Sequence, residues 1–271
     1  MRSESEGDGK RHLVVFDFDH TIVEVNSDPE TVVGVDPENR DEHLALLHEA
    51  GACGAWTDGM DAALRRVAEH GKTEGDVRGV LRGIPLTEPG DAMRAALERL
   101  AAHPGTDLRI VSDANTVFID EILRAHGLRG AFSAVVSNPA AWVPHGAEGH
   151  TRLSVTPYHD PGPSLSPTPD ARGVRPAHAC PRCPRNLCKG DVVAPWLAER
   201  AWASITYVGD GTNDVCPSLL LPSGGRVLAR EGFPLAAAFR TVEPPLRAAL
   251  HVWHDATRLA DLLDPLKFNT V

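Results

Sequence analysis

The chain has 271 residues, 42% hydrophobic and 24% charged, with a formal net charge of -10. That is enough for one large domain, or a core with a small insert, in ordinary globular proportions. The acidic balance argues against nucleic acid and anionic membrane as partners, yet it permits a small phosphorylated substrate in a locally positive site.

Residues 1–12 read as a disordered polar tail with no apolar core of a secretory signal. No stretch reaches the about 18 apolar residues that a bilayer span needs. Five cysteines, Cys53, Cys180, Cys183, Cys188 and Cys216, form an odd set. This does not suit a secreted disulfide framework, and the expected compartment is the cytoplasm. Residues 13–18 (LVVFDF) predict a buried parallel strand. The stretch 24–88 carries helical patterns near 41–50, 57–70 and 73–82 and no convincing strand, which predicts a small helical cap inserted after the first strand. Such a cap can close over a ligand and exclude water. Residues 91–102 predict a helix through Met93, Leu97 and Leu100, and 107–112 (DLRIVS) predict a second strand. A helix over 116–126 and a weaker strand over 133–137 follow. Residues 139–176, rich in Pro, Gly and His, read as an irregular loop. A helix at 192–201, a strand at 204–209 (SITYVG), a fifth strand around Val227 and Leu228, and a helix at 255–263 complete the pattern. Strands alternating with helices make an α/β fold with a parallel sheet and right-handed crossovers. Its core is 13–23 with 89–271, and its cap is 24–88.

Two motifs carry chemistry. Asp17-Phe18-Asp19-His20-Thr21 directly follows the first strand, where parallel α/β sheets bind ligands. One carboxylate can attack phosphorus while the other handles protons. Alone, the motif also fits a pair of solvated loop acids. The second motif, Val208-Gly209-Asp210-Gly211-Thr212-Asn213-Asp214, also follows an apolar strand and adds Asp210 and Asp214 to the same end of the sheet. Gly209 and Gly211 are expected to let backbone approach a ligand closely. Four unpaired acids repel one another, and a hard cation such as Mg2+, bound with phosphate and water, relieves this.

These motifs resemble those of the haloacid dehalogenase-like phosphohydrolases, which implies a Rossmann-like parallel-sheet core. The resemblance makes Asp17 the catalytic nucleophile and Asp19 the general acid and base. It places the metal on Asp17, Asp19 through its backbone carbonyl, and Asp210, with Asp214 nearby. Ser112 and Lys189 become the phosphate-binding pair. FDFDHTIVEVNSD, IPLTEPG, VSDANTVFI, SNP, PYH, CPRCPRNLCK and YVGDGTNDVCPSL are similar to the phosphoethanolamine/phosphocholine phosphatase and pyridoxal-phosphate phosphatase family over nearly the whole chain after residue 12. The departure is a Pro-rich insert near 160–176, expected on the surface.

The narrower resemblance places Asp28 and Asp113 in the substrate pocket. Two acids beyond the phosphate suit an ammonium group, to which Trp56 could add a cation–π contact. Asp28 also fits a helix N-cap, Asp113 a turn, and Trp56 ordinary cap packing. The implied function is a magnesium-dependent phosphatase acting through an aspartyl-phosphate on phosphoethanolamine or phosphocholine. The alternatives are a pyridoxal 5'-phosphate phosphatase and a binding pseudoenzyme. The intact set of Asp17, Asp19, Ser112, Lys189 and Asp210 argues against the latter. The run from His178 through Cys180, Cys183 and Cys188 has spacing that supports structural zinc, with Cys216 as a fourth thiolate, or else plain or redox-labile loop thiols.

Overall fold

The structure, a computed structural model, describes residues 11–146, 149–159, 175 and 177–264. Most of the 160–176 insert lies outside the described residues. Among those described, no helix is long and apolar enough to cross a membrane.

Six parallel strands form the central sheet: β1 (His12–Phe16), β2 (Thr106–Asn115), β3 (Ala134–Asn138), β6 (Ser204–Gly209), β7 (Arg226–Arg230) and β8 (Ala249–Trp253). Their order is β3-β2-β1-β6-β7-β8. Side chains alternate between the two faces along β1. Val14 and Phe16 enter one buried cluster with Ile110, Val208 and Leu228. Leu13 and Val15 enter the other with Val111, Tyr207 and Val227. On the first face lie α5 (Gly90–Ala102), α6 (Thr116–Ala125) and α10 (Ala256–Leu262), which contribute Met93, Leu97, Phe118, Ile122 and Leu259 to that cluster. On the second lie α7 (Lys189–Ala198), α8 (Val215–Leu219) and α9 (Pro234–Ala238), through Val192, Val193, Val215 and Leu235. Cover on both faces explains why β1 and β6 read as continuous apolar runs.

Two elements differ from the sequence reading. β8 was not expected: along ALHVW only Trp253 is buried, so this edge strand leaves no apolar run. The 139–176 stretch is not irregular throughout. β4 (Ala140–Pro144) and β5 (Thr151–Val155) pair as an antiparallel hairpin. Only Leu153 and Val155 of β5 are buried, too short a pattern to register as a strand.

Between β1 and α5 lie four α-helices: α1 (Ser27–Val35), α2 (Arg40–Ala52), α3 (Trp56–Glu69) and α4 (Glu74–Gly83). Their entry and exit are stitched by an antiparallel bridge between Val23 and Leu86. Met60, Ala63, Leu64 and Val67 give α3 its buried stripe. The hairpin packs on α3, where Asp61 accepts hydrogen bonds from Arg152 (2.8 Å), Ser154 Oγ (2.8 Å) and the Val155 amide (3.0 Å).

Fully buried Asp36 knots the helical unit together. It meets His43 Nε2 at 2.8 Å and His70 Nδ1 at 2.6 Å, and accepts from Asn39 Nδ2 at 3.0 Å. Burial pushes its pKa up, but the bonds from His70, His43 and Asn39 outweigh this and bring it down to about 2. The stability this carboxylate contributes is therefore complete above the ordinary aspartate pKa near about 4 and is lost as pH falls through about 2. Asp36→Ala leaves two histidines without their shared partner. It should lower unfolding stability by about 3 kcal/mol in a urea titration. A change within about 0.5 kcal/mol, typical of a surface site, would remove Asp36 from this role.

Candidate active site

β1 is the strand at which the sheet's connections reverse. The chain leaves β1 for β2 and β3 on one side, then returns to lay β6 on its other side. The crevice outside the carboxyl ends of β1 and β6 is thus the topological switch point, where open α/β sheets take their ligands. Asp17 follows β1 and Asp210 follows β6. The amide of Asp17 still donates to Val208 of β6 at 2.9 Å, so its backbone is fixed by the ladder.

Both oxygens of Asp17 are held: Oδ1 accepts from the Phe18 amide at 2.7 Å, and Oδ2 meets Lys189 Nζ at 2.8 Å. Lys189 begins α7, is fully buried, and also reaches Asp214 Oδ1 at 2.8 Å. Carboxylate oxygens of Asp17, Asp210 and Asp214 lie within 4.8 Å of one another. Asp214 is already engaged by four donors. Lys189 and Tyr207 OH (2.7 Å) reach its Oδ1, and the amides of Asp210 (3.0 Å) and Gly211 (2.9 Å) reach its Oδ2. Asp19 stands outside this trio and accepts from the Ser27 amide at 3.1 Å.

The electrostatics follow from burying several acids around one cation. Burial is the largest influence on Asp17 and drives its pKa well up. Lys189 opposes it, while Asp214, Asp210 and Asp113 reinforce it. Asp210 is pushed up to about 7, first by burial and then by Asp214. Burial works against the charge on Lys189, but Asp17 and Asp214 outweigh it and hold its pKa above the usual value. Asp19 is pushed up to about 8, by burial first and by Asp28 next. It can therefore carry a proton at neutral pH, as a general acid must.

Ser112 is fully buried within β2, at the irregular register between Val111 and Asn115, and its Oγ accepts from the Ala114 amide at 3.3 Å. Next to it, Asp113 Oδ2 accepts from Asn213 Nδ2 at 2.9 Å, joining the β2 end to the β6 loop. Asp28 does not cap a helix. Asn26 caps α1 by accepting from the Asp28 amide at 3.0 Å, which leaves the Asp28 carboxylate to turn inward. Its Oδ2 accepts from Trp56 Nε1 at 2.7 Å, while Oδ1 is buried without a partner. Burial pushes Asp28 up to about 7, with the Trp56 bond opposing and Asp113 adding to the rise. Trp56 thus meets Asp28 through its N–H.

Gly209 has a different role from the one expected. A Cβ there would collide with Asp214 Oδ2, so the space it leaves is taken by the Asp214 carboxylate.

Four contributors were not read from the sequence. Tyr207 is one, and a buried Tyr in an apolar strand does demand a partner for its hydroxyl. Burial, then Asp214, holds its phenol well above the usual pKa and therefore donating. Asn138, from the SNP segment, donates to the carbonyls of Asp113 (2.7 Å) and Ala114 (2.9 Å), pinning the end of β2. His20 sits at a left-handed φ of 52. Arg230 holds its carbonyl at 2.8 Å and Glu24 at 2.5 Å, fixing the loop after Asp17. The SNP segment marks Asn138 without showing what it holds, and nothing local in the sequence marks Arg230. The four thiols of Cys180, Cys183, Cys188 and Cys216 also converge.

Residues 12–266 match the family described as "Putative Phosphatase". The chain belongs to that phosphatase family. Among similar members is Inorganic pyrophosphatase 2 of Arabidopsis thaliana, 32% identical over 93% of this chain and 82% of the relative. The Homo sapiens phosphoethanolamine/phosphocholine phosphatase is 31% identical over 91% of this chain and 85% of its own. A Mus musculus pyridoxal phosphate phosphatase is 30% identical over 91% and 95%. The phosphatase fold is also that of a solved phosphoserine phosphatase in a phospho-aspartyl intermediate analogue form, with a TM-score of 0.55 at 16% identity over 94% of this chain and 98% of that one. The parallel-sheet α/β core expected from the sequence is therefore the fold of this phosphatase.

Proposed function

We propose that this phosphatase hydrolyses a small phosphomonoester through an acyl phosphate formed on Asp17, in a site that takes Mg2+. The observation that carries this is the placement of Asp17 at the switch point, held by the buried Lys189 beside Asp210. Asp17 Oδ attacks phosphorus, and the bond from phosphorus to the leaving oxygen breaks. Asp19 gives that oxygen its proton. Asp19 then takes a proton from water, whose oxygen displaces Asp17 and releases inorganic phosphate. Lys189 and Ser112 position the phosphate oxygens. Hard carboxylate oxygens with a single cation among them fit magnesium. Asp17, the Asp19 carbonyl and Asp210 would hold it, with Asp214 supporting through Lys189 and the loop. When bound, the ion supplies charge neutralisation at the phosphate. Residues 24–88 act as a cap over the core of 13–23 and 89–271, which brings Asp28 and Trp56 over the site.

For the substrate, we favour phosphoethanolamine or phosphocholine. The buried, unpartnered Oδ1 of Asp28 and the charge of the neighbouring Asp113 suit an ammonium group on the substrate. A second phosphate, as in pyrophosphate, would meet two acids there. Pyridoxal 5'-phosphate is the alternative, on the strength of its use by relatives. A substrate panel of these four with measured kcat/KM tests the reading. Asp28→Asn should lower kcat/KM for the amine-bearing ester roughly 10- to 100-fold, the worth of a charge-assisted contact, and leave an uncharged aryl phosphate nearly unchanged. Equal losses on both substrates would end the ammonium-pocket reading while leaving the chemistry at Asp17 untouched.

A further inference from the structure

Outside the acid cluster, a second group of side chains is arranged for a metal of different character. Cys180 and Cys183 lie in the loop before α7, Cys188 immediately precedes α7, and Cys216 sits in α8 after the Asp210–Asp214 loop. Their four sulfurs all lie within 4.8 Å of one another. Cys180 Sγ is 3.6 Å from Cys216 Sγ, and Cys188 Sγ is 3.9 Å from it. A tetrahedron with metal–sulfur bonds of about 2.3 Å has edges of about 3.8 Å. A disulfide instead requires about 2.0 Å, and no pair here is singled out for one. We propose that Cys180, Cys183, Cys188 and Cys216 hold one structural zinc ion.

The surroundings are built for it. His178, the other candidate ligand of this segment, has both ring nitrogens engaged within the loop. Nδ1 accepts from the Cys180 amide at 3.2 Å, and Nε2 meets the Pro184 carbonyl at 2.9 Å. His159 Nδ1 accepts from the Cys188 amide at 3.2 Å. These bonds orient the ligand-bearing backbone, as outer-shell groups do around zinc. Gly190 keeps room for the fourth sulfur, since a Cβ there would come within 2.5 Å of Cys216 Sγ. Four thiolates close the tetrahedron and leave no open position, which makes the site structural and not hydrolytic. Soft thiolates select zinc, whereas the carboxylates of the neighbouring site select magnesium.

Placement gives the ion a purpose. Cys188 adjoins Lys189, and Cys216 lies just beyond Asp214, so the zinc brackets the Lys189–Asp214 contact of 2.8 Å. It joins a loop without regular secondary structure to the turn that aims the acids. This inference stands on the thiol geometry and does not depend on the substrate or on the chemistry at Asp17.

The test uses the full-length, reduced chain. Elemental analysis after gel filtration should find about one zinc per chain, retained when magnesium is stripped. Zinc-depleted wild type titrated with cobalt(II) should develop the thiolate charge-transfer and ligand-field bands of a tetrahedral tetrathiolate centre. Zinc should abolish the bands and magnesium should not. Depletion should lower the melting temperature, with zinc alone restoring it. Cys183→Ser should weaken cobalt binding roughly tenfold or more, whereas Cys53→Ser, at the exposed cysteine, should not. The wild-type titration keeps the test decisive even if Cys183→Ser misfolds. Reduced wild type that takes up neither zinc nor cobalt, or binds cobalt without thiolate bands, would overturn the proposal.

Discussion

Asp17→Asn should lose turnover by roughly 10^4 or more while the protein stays folded, since removing a group proposed to act as a unit with its neighbours costs most of the catalysis. The amide keeps the volume of the carboxylate and can still accept from the Phe18 amide. It cannot attack phosphorus. Stability should be nearly unchanged, because the substitution removes one negative charge from a buried cluster in which Asp210 and Asp214 already push Asp17 up. Lys189 retains its partner Asp214. Steady-state kinetics and a thermal melt on the same preparation check this together. Activity within tenfold of wild type would remove Asp17 as the nucleophile.

Lys189→Met should affect both function and fold. The methionine fills similar volume but leaves Asp17, Asp210 and Asp214 buried at one point with their cation gone. Removing one partner of a buried ion pair costs about 3–5 kcal/mol, so the melting temperature in chelator should fall sharply. A divalent cation should recover part of this loss, because it supplies charge to the same oxygens. Activity should remain at least about 10^3 below wild type even with magnesium present, since a positioned cation at the phosphate is worth several kcal/mol. The diagnostic comparison is the melting temperature with and without magnesium. A variant as stable as wild type in chelator would contradict the charge balance described for this site.

Much of this arrangement is legible in the sequence, for a physical reason. Asp17 and Asp210 follow runs buried on both faces, and such runs end where a parallel sheet presents its ligands. The acids are therefore placed by the strands before them. What is harder to read depends on contacts between distant segments. The role of Asp28 was ambiguous because an acid before a helix also fits a cap. Only the observation that Asn26 takes the cap frees its carboxylate to turn inward onto Trp56. Gly209 signals a close approach without saying of what, and the answer is Asp214. Arg230 reaches the loop after Asp17 from the far strand β7, and Cys216 completes a thiol group begun at Cys180. Arg230 has no local signature, and Cys216 reads as a fourth thiolate only beside the alternative of plain loop thiols. β8 and the β4–β5 hairpin escaped because each buries too few side chains to show a period.

The proposed chemistry turns on a covalent phosphate on Asp17. An acyl phosphate, unlike a free carboxylate, is reduced by borohydride, which would convert Asp17 to homoserine. The decisive measurement is therefore a borohydride quench of the enzyme during turnover of phosphoethanolamine or an aryl phosphate, followed by peptide mass spectrometry. Homoserine should appear at position 17, dependent on both substrate and magnesium, and be absent from Asp17→Asn. Homoserine at another aspartate during active turnover, or a burst of released alcohol with residue 17 unmodified, would contradict it.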